Sequence, residues 1–300
     1  GGNLSRACRI DRVWAAYDHH SPGTVQYKDK QHSQLRRHFR KERHDYADIR
    51  LIARRQWYGF KGAPITQLIT GGLKYDEKNR LGGLVYNDVA GNFKRIGGQL
   101  SYAYNIRLSI EYQLAMGISA GIINYRFDIN RVNCYEEADN TISNLSVSKT
   151  IPNADAGILL YNKSFYVGIS SVEIFQSKIY KTVNNSYSHL YTHFYSFVGY
   201  NIKASDDVSF EPSLFFKSYK NTSTQFDVNL RVTYLNKISY GFTYRTSGDV
   251  IQYIELKIKN NIRFGYYYDG PVRASGFIRN ESHEVMLGYY LDKKRVKGNN

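Results

Sequence analysis

Four short segments between Phe226 and Tyr268 begin at a spacing of twelve residues and alternate strictly between apolar and polar side chains. They read FDVNLRVTY from Phe226, ISYGFTY from Ile238, VIQYIELKI from Val250 and IRFGYYY from Ile262. Side chains that alternate in this way lie on opposite faces of a β-strand. The connections between the segments are so short that only antiparallel hairpins can form. The stretch therefore predicts a β-meander with one apolar face and one polar face.

A sheet of this kind can face two different environments. A soluble sandwich packs the apolar face against a second sheet, whereas an outer-membrane barrel turns it to lipid and turns the polar face to the lumen. Several segments reach about nine to eleven residues, which is the length that a tilted strand needs to cross the hydrocarbon layer. The 28 tyrosines and 15 phenylalanines suit the two aromatic girdles of a barrel. These features favour the barrel.

Composition argues against several other classes of protein. The mean hydropathy is -0.50 and no run of 18 apolar residues occurs, which excludes a helical membrane protein. The net charge of +15 is dispersed: residues 1–49 hold ten Lys and Arg against six Asp and Glu, and the remainder is spread over strands and turns. This distribution favours lumen, loop and rim charge over nucleic-acid binding. The two cysteines, Cys8 and Cys134, have no metal-site spacing, and we expect no cofactor.

The alternation continues upstream and predicts about fourteen strands, an even number as in closed single-chain barrels. The predicted strands are 50–60, 63–75, 81–89, 97–106, 109–127, 154–161, 164–174, 188–203, 207–219, 223–235, 237–246, 249–259, 261–269 and 282–292. The three longest connections, 128–153, 175–187 and 270–281, follow odd-numbered strands and therefore leave the same side of the sheet. Outer-membrane barrels place such long loops outside the cell and short turns in the periplasm.

We therefore predict an all-β fold, a transmembrane antiparallel β-barrel of about 14 strands, in the outer membrane of a Gram-negative bacterium. The barrel is expected over residues 50–292. Residues 1–49 contain five of the eight histidines and little strand periodicity. We expect them to form an atypical basic N-terminal segment that is either disordered or foreign to the natural protein. Residues 293–300 are expected to form a polar C-terminal tail.

Six ordered motifs carry a resemblance to a known family. They are RQWYGFKGAPITQ from Arg55, ISAGIINYRFD from Ile118, NADAGILLYNKSFYVGIS from Asn153, ASDDVSFEPSLFFK from Ala204, GFTYRTSGD from Gly241 and SHEVMLGYYL from Ser282. With these motifs the chain resembles the PorP/SprF family, outer-membrane components of the type IX secretion system of Bacteroidota, from about Arg54 to Leu291. Residues 1–49 lack the Asn-Pro-Ala-like opening that the family pattern leads one to expect.

The resemblance implies a non-enzymatic barrel that serves protein secretion, gliding motility or surface display of adhesins. It also implies several partners: outer-membrane lipids, periplasmic ring proteins, a peptidoglycan-binding OmpA-like lipoprotein and a secreted surface adhesin. The mechanism would be binding, without a bond made or broken. The alternative is a passive porin or small-solute transporter, because a fourteen-stranded barrel is wide enough for a channel unless side chains or a loop fill it.

Loop position and residue type provide the candidate contact residues. Trp57, between Gln56 and Gly59, is predicted to be an interface anchor on the first strand, or else to seal the first strand against the last. Extracellular partner contacts are predicted in loops 128–153 and 175–187, at Cys134, Glu136, Glu137 and Lys181. Periplasmic turns are predicted at Ala204–Asp207, Leu235–Lys237 and Asn260–Asn261, and the candidate residues in them are Asp206, Asn236 and Asn260. Arg107, Arg126, Arg231 and Arg245 are expected to point into the lumen.

Three groups of residues resemble a metal site, a catalytic triad and a phosphate loop, but each is better explained as part of the barrel structure. His189 and His193 are expected to share one strand face, but the sequence offers no third metal ligand. Ser282, His283 and Glu284 cannot form a triad among themselves, since adjacent strand residues point to opposite faces. Gly82-Gly83 and Gly97-Gly98 are not followed by the helix and Lys-Ser/Thr of a phosphate loop. We expect neither a metal site nor enzymatic activity.

Overall fold

The computed structural model describes residues 45–127, 147–181, 187–219, 224–259, 261–271 and 281–292. Within these ranges every regular element is a β-strand. They contain no helix long and apolar enough to cross a membrane.

Fourteen long strands form one sheet. They are β1 Asp45–Arg55, β2 Ile65–Lys74, β3 Asn79–Ala90, β4 Phe93–Arg107, β5 Gln113–Phe127, β6 Val147–Tyr161, β7 Phe165–Val172, β10 His193–Tyr200, β12 Val208–Tyr219, β13 Gln225–Tyr234, β14 Ile238–Arg245, β15 Asp249–Lys259, β16 Ile262–Pro271 and β17 Ser282–Asp292. Three short strands complete the set: β8 Lys178–Lys181 and β9 Tyr187–His189 pair with each other, and β11 Ile202–Lys203 pairs with β12.

The long strands close into a barrel. Each pairs antiparallel with the next long strand along the chain, and β10 bridges β7 and β12. The circle closes where β1 pairs with β17, with Arg50 opposite Gly288 and Arg54 opposite Glu284. The predicted fold class, a fourteen-stranded antiparallel barrel, is therefore confirmed. Closure pairs the first strand, β1, with the last, β17, so neither is left as the free edge of an open sheet.

The two faces of the wall differ as the alternation predicts. Large apolar side chains point outward and remain exposed, among them Leu230, Phe242 and Val285. Their immediate neighbours Thr243 and Glu284 point inward and are buried. A surface that is apolar outside and polar inside is the arrangement of a barrel whose solvent is lipid.

The connections sort onto two rims. The long-loop rim carries the connections 56–64, 91–92, 128–146, 173–192, 220–224, 246–248 and 272–281. The short-turn rim carries 75–78, 108–112, 162–164, 201–207, 235–237 and 260–261. The outer end of β1, at Asp45, and that of β17, at Asp292, also lie on the short-turn rim.

The structure extends β6 seven residues upstream of the predicted start at 154, to Val147. Pro152 interrupts the sequence pattern there, since proline cannot donate a ladder hydrogen bond. Residues 147–155 pair on one side with β5, whereas β7 pairs only with residues 156–161. A proline is tolerated because that part of β6 has a single strand neighbour. Similarly, β1 begins at Asp45 and ends at Arg55, whereas the alternation predicts 50–60.

Glycines in the wall make room for inward-facing aromatic rings. Gly97 of β4 lies opposite Tyr86 of β3, and the Tyr86 ring occupies the space that a Cβ at Gly97 would need. Gly241 of β14 and Tyr253 of β15 form the same kind of pair. Gly97 lies within β4, and the absence of a side chain there lets the Tyr86 ring lie against the lumen wall.

Candidate functional site: the lumen and its two mouths

Ion pairs line one side of the lumen. Arg245 of β14 contacts Asp227 of β13 at 3.0 Å, and both side chains are buried. Arg231 contacts Glu255 of β15 at 2.9 Å, and Glu255 also accepts a hydrogen bond from the Tyr267 hydroxyl. Strand alternation places all of these residues on the inward face. Charges at this depth are stable only when they are paired, because desolvating a lone ion is costly.

A three-strand charge cluster crosses the seam at which the barrel closes. Arg54 of β1 donates to Asp269 of β16 at 2.9 Å, and its guanidinium lies 3.8 Å from Glu284 of β17. All three residues are buried. Since β17 separates β1 from β16, one arginine links the first strand of the barrel to the last two.

The opposite wall carries a third group of ion pairs near the long-loop rim. Asp88 of β3 accepts a hydrogen bond from Thr66 at 2.7 Å and contacts Arg95 of β4 at 3.2 Å. The Arg95 guanidinium also lies over the Tyr86 and Tyr125 rings, 5.3 and 6.0 Å from their centroids. The inward arginines are therefore held both by carboxylates and by aromatic faces.

The connection between β7 and β10 folds back against the inner wall. Ile179 of β8 is 2% exposed and Leu190 is 9% exposed. Both belong to an apolar cluster with five inward-facing side chains of β2, β3, β5 and β6, which are Leu68, Leu84, Tyr86, Ile123 and Ile151. Ile52 and Tyr125 pack against this cluster. A segment of the long-loop rim thus covers the apolar part of the lumen wall.

Asp155 holds the start of this connection. Its carboxylate accepts a hydrogen bond from the Glu173 backbone N–H at 2.9 Å and another from the Gln99 side chain at 2.9 Å. Glu173 has a φ of 59°, in the left-handed region that a non-glycine residue adopts only when its surroundings hold it there. This turn directs the chain away from the line of β7 and towards the lumen.

The end of the connection is held beside its start. His193, the first residue of β10, has its Nδ1 3.4 Å from the Glu173 carboxylate. The Thr192 hydroxyl donates to the Glu173 carbonyl oxygen at 3.2 Å. The His193 ring packs against Tyr219, with the ring centroids 4.7 Å apart. Both ends of the folded-in segment are therefore attached to the same patch of inner wall.

The mouth at the short-turn rim contains a polar cavity of about 210 Å³. Its walls come from β1, β12 to β17 and the neighbouring turns. The charged side chains that line it are Arg50, Arg231, Lys237, Lys257 and Arg263, with Glu211 and Glu255. Basic groups therefore outnumber carboxylates at this mouth.

The candidate contact residues fall in three places. Trp57 lies in the connection after β1, with a φ of 46°, and is half-buried; its predicted interface role stays a prediction. Lys181 ends β8, on the long-loop rim. Asp206 and Asn236 are exposed in turns of the short-turn rim, and Asp206 pairs with Lys203 at 2.7 Å. The remaining predicted contact residues, Cys134, Glu136, Glu137 and Asn260, lie outside the described residues.

The histidines are arranged differently from the sequence expectation. His189 belongs to β9 and His193 to β10, with residues 190–192 outside any strand between them, so the two do not share one strand face as expected. The described residues contain no group of three or more potential metal ligands. His283 points outward and bonds the Tyr266 hydroxyl at 2.7 Å, whereas Glu284 points inward.

Two of the four arginines expected in the lumen, Arg231 and Arg245, form the inward pairs described above. Arg107 is the last residue of β4. The strand alternation places it on the inward face, but it is exposed because it lies at the strand end. Arg126 alternates with the outward side chains of β5 and lies one residue from the strand end. The expectation for Arg126 is therefore wrong: its position near the long-loop rim lets the long side chain extend out of the lipid layer.

The sequence reasoning missed Asp155 and Glu173, which fix the folded-in connection. The sequence did contain a clue to Asp155. In the segment NADAGILLY this carboxylate lies among apolar residues and alternates onto the inward face, where a charged group requires a partner. Nothing local to Glu173 indicates the left-handed turn.

Comparisons with known proteins agree with this architecture. The family model for the type IX secretion system membrane protein PorP/SprF matches residues 42–289. No curated protein matches the chain. Among solved structures, the outer-membrane protein Omp33 of Acinetobacter baumannii has a TM-score of 0.50 at 8% identity, covering 83% of this chain and 99% of that chain. The toluene transporter TodX of P. putida has a TM-score of 0.46 at 7% identity, covering 82% and 89%.

The likeness to Omp33 concerns the fold alone, because the identity is so low. The family match is more specific, since it spans most of the barrel and begins three residues before β1. It confirms the resemblance carried by the six motifs. The chain belongs to the PorP/SprF family of type IX secretion system membrane proteins, as an outer-membrane β-barrel.

Proposed function

We propose that this barrel is a non-enzymatic scaffold of the type IX secretion and gliding machinery. Its outer face holds it in the outer membrane, its short-turn rim contacts periplasmic components, and its long-loop rim contacts a secreted adhesin. Function would consist of binding, without a bond made or broken.

The observation that carries the proposal is the folded-in connection between β7 and β10. Ile179 and Leu190 pack against the inner wall, and Asp155 and Glu173 hold the segment there. Ion pairs line the polar part of the inner wall, on β13 to β15. A connection packed inside the barrel supports contacts made at the rims over passage of solutes through the centre.

The proposed periplasmic partners are ring proteins and a peptidoglycan-binding OmpA-like lipoprotein, with Asp206, Asn236 and Asn260 as contact residues. The proposed extracellular partner is a surface adhesin, contacted through the loops that bear Cys134, Glu136, Glu137 and Lys181. Trp57, just beyond β1 on the long-loop rim, is proposed to anchor that end of the barrel at the lipid interface.

A pull-down of the tagged chain from gently solubilised membranes tests the scaffold role, with co-purifying proteins identified by mass spectrometry. We expect ring components, the lipoprotein or a large adhesin. A double variant, Asp206→Ala with Asn236→Ala, should lose periplasmic partners while keeping the adhesin. A matched double variant in another turn of the same rim, Glu77→Ala with Lys78→Ala, should keep both. Recovery of the folded barrel alone would contradict the scaffold role.

The alternative of a passive porin or small-solute transporter is separated from the scaffold by ion conductance in planar bilayers. If the barrel is a scaffold, we expect little or no steady conductance. Large, steady conductance by the wild-type barrel would favour the transporter and overturn the proposed scaffold.

A further inference from the structure

Two basic side chains lie next to each other on the outer face of the wall, near the long-loop rim. Lys94 of β4 and Arg126 of β5 are direct cross-strand partners, and both side chains are exposed. Strand alternation turns both to the outside, because their neighbours Arg95 and Phe127 are buried on the inward face. The barrel therefore presents two cations side by side on its outer surface.

Neither of these two cations forms an ion pair with a carboxylate within the part of the chain that the structure describes. Like charges directly opposite each other on one face of a sheet repel, and this repulsion destabilises the strand pair. An anion bound between Lys94 and Arg126 would replace the repulsion by two attractions. The arrangement therefore favours a negatively charged ligand at this point of the outer wall.

Polar side chains adjoin the two cations on the same outer face. Asn124 of β5 donates to the Thr150 hydroxyl at 2.9 Å and to the Ser148 hydroxyl at 3.4 Å. Because both hydroxyl oxygens accept from Asn124, each hydroxyl keeps its own hydrogen for another acceptor. On β2 and β3, Gln67 accepts a hydrogen bond from Asn87 at 3.2 Å. This part of the outer wall therefore carries hydrogen-bonding groups in two successive rows of side chains.

The apolar part of the outer face begins directly below these polar rows. Ile122 lies two residues from Asn124 on the same face of β5, and Leu100 lies on the outer face of β4; both are exposed. A strand face that passes from apolar to cationic side chains matches the boundary between the hydrocarbon layer and the lipid headgroups. Lys94 and Arg126 therefore lie at the depth of the lipid phosphates.

Another sector of the same rim has a different outer surface. Phe216 of β12 and Phe226 of β13 are cross-strand partners on the outer face, and their rings pack edge to face with the centroids 5.0 Å apart. Tyr244 of β14 is also exposed on this face. Such rings form the aromatic girdle that barrels place at the membrane interface. The adjacent cations on β4 and β5 are therefore a local feature of one sector of the wall.

We propose that Lys94 and Arg126 form a binding site for the phosphate group of an anionic outer-membrane lipid. The Arg126 guanidinium donates paired hydrogen bonds to the phosphate oxygens, and the Lys94 ammonium supplies the second positive charge. Ser148, the cross-strand partner of Arg126 on β6, adds a neutral donor. The acyl chains of the lipid lie along Ile122 and Leu100 on the apolar wall. The site holds one anionic lipid at a fixed sector of the barrel.

Native mass spectrometry of the purified, folded barrel in an uncharged detergent tests the site. The probe is phosphatidic acid, and the control lipid is phosphatidylcholine with the same acyl chains, in which choline balances the phosphate charge. Lys94→Gln with Arg126→Gln should weaken binding of phosphatidic acid about ten- to thirtyfold, the loss expected when two cations leave an anionic lipid surface. Lys163→Gln with Lys237→Gln is the matched control, because it removes two exposed cations from turns of the short-turn rim.

The outcomes separate a lipid site from a general effect of charge. Preference for phosphatidic acid that only the Lys94 and Arg126 double variant loses would support the proposal. An equal loss in both double variants, or equal binding of the two lipids by the wild type, would overturn it. Displacement of phosphatidic acid by an equal concentration of inorganic phosphate would also overturn it, because the site would then serve a soluble anion. Since the test uses the isolated barrel, its failure would leave the scaffold role unaffected.

Discussion

The backbone N–H of Glu173 donates to the carboxylate of Asp155 across 2.9 Å and turns the chain into the barrel. Asp155 lies in β6, whereas Glu173 follows β7, so the contact joins a wall strand to the connection that packs against the inner wall. The segment beyond this contact places Ile179 and Leu190 on the apolar inner wall. The buried carboxylate of Asp155 therefore helps to hold this connection against the inner wall.

Asp155→Ala should release the folded-in connection, because the Glu173 N–H loses its acceptor and the left-handed turn loses its support. We expect channel openings in planar bilayers that the wild type lacks, with the barrel still folded. Asp207→Ala, in an exposed turn of the short-turn rim, is the matched control and should stay silent. Equal conductance in both variants would contradict the role assigned to Asp155.

Ile179→Asp should have a similar effect by a different cause. A carboxylate cannot remain in the apolar cluster without a partner, so the β8–β9 hairpin should leave the wall. Ile174→Asp is the control in the same connection, because Ile174 is 41% exposed and lies outside the cluster. Protease cleavage within the connection should accelerate only in Ile179→Asp; unchanged cleavage would show that the hairpin is held by other contacts.

Arg54→Ala should destabilise the barrel at its seam. The change leaves Asp269 and Glu284 buried without their shared cation, and removing one partner of a buried ion pair costs about 3–5 kcal/mol. Denaturant unfolding in lipid vesicles measures the loss. Arg55→Ala is the adjacent control: this exposed residue lies over the Tyr58 ring, so we expect a loss of about 1 kcal/mol or less. Equal losses would contradict the importance of the seam cluster.

Leu230→Arg tests the lipid face of the wall. Leu230 is 44% exposed in the middle of β13, and an arginine at the centre of the bilayer costs about 2–4 kcal/mol. Leu235 has the same exposure but lies in the turn after β13, so Leu235→Arg should cost about 0–1 kcal/mol. The difference in unfolding free energy between the two variants measures membrane depth. A β13 that faces water instead would give equal values.

Much of the barrel was predictable because its information is local. Strict alternation in segments such as FDVNLRVTY assigns each side chain to lipid or lumen, and the phase correctly placed Arg231 and Arg245 inside. Alternation fails to predict a strand where a residue unfavourable to strands is tolerated because of the surrounding sheet. Pro152 made the first half of β6 hard to predict. The proline is tolerated because residues 147–155 pair with β5 alone, and that is known only once the sheet is assembled.

The sequence by itself determined the class of fold, the number of strands and the sorting of long connections to one rim, since strand periodicity and turn chemistry act over a few residues. Only the tertiary structure decided which side chains meet inside the barrel and which connection packs against the inner wall. Asp155 is bonded by Gln99, and Arg54 is paired with Asp269 and Glu284. These partners come from strands far apart in the chain, and no local pattern relates them. Closure of the barrel brings these groups within hydrogen-bonding distance, and in its low-dielectric interior each buried charge is stable only with the partners that closure supplies.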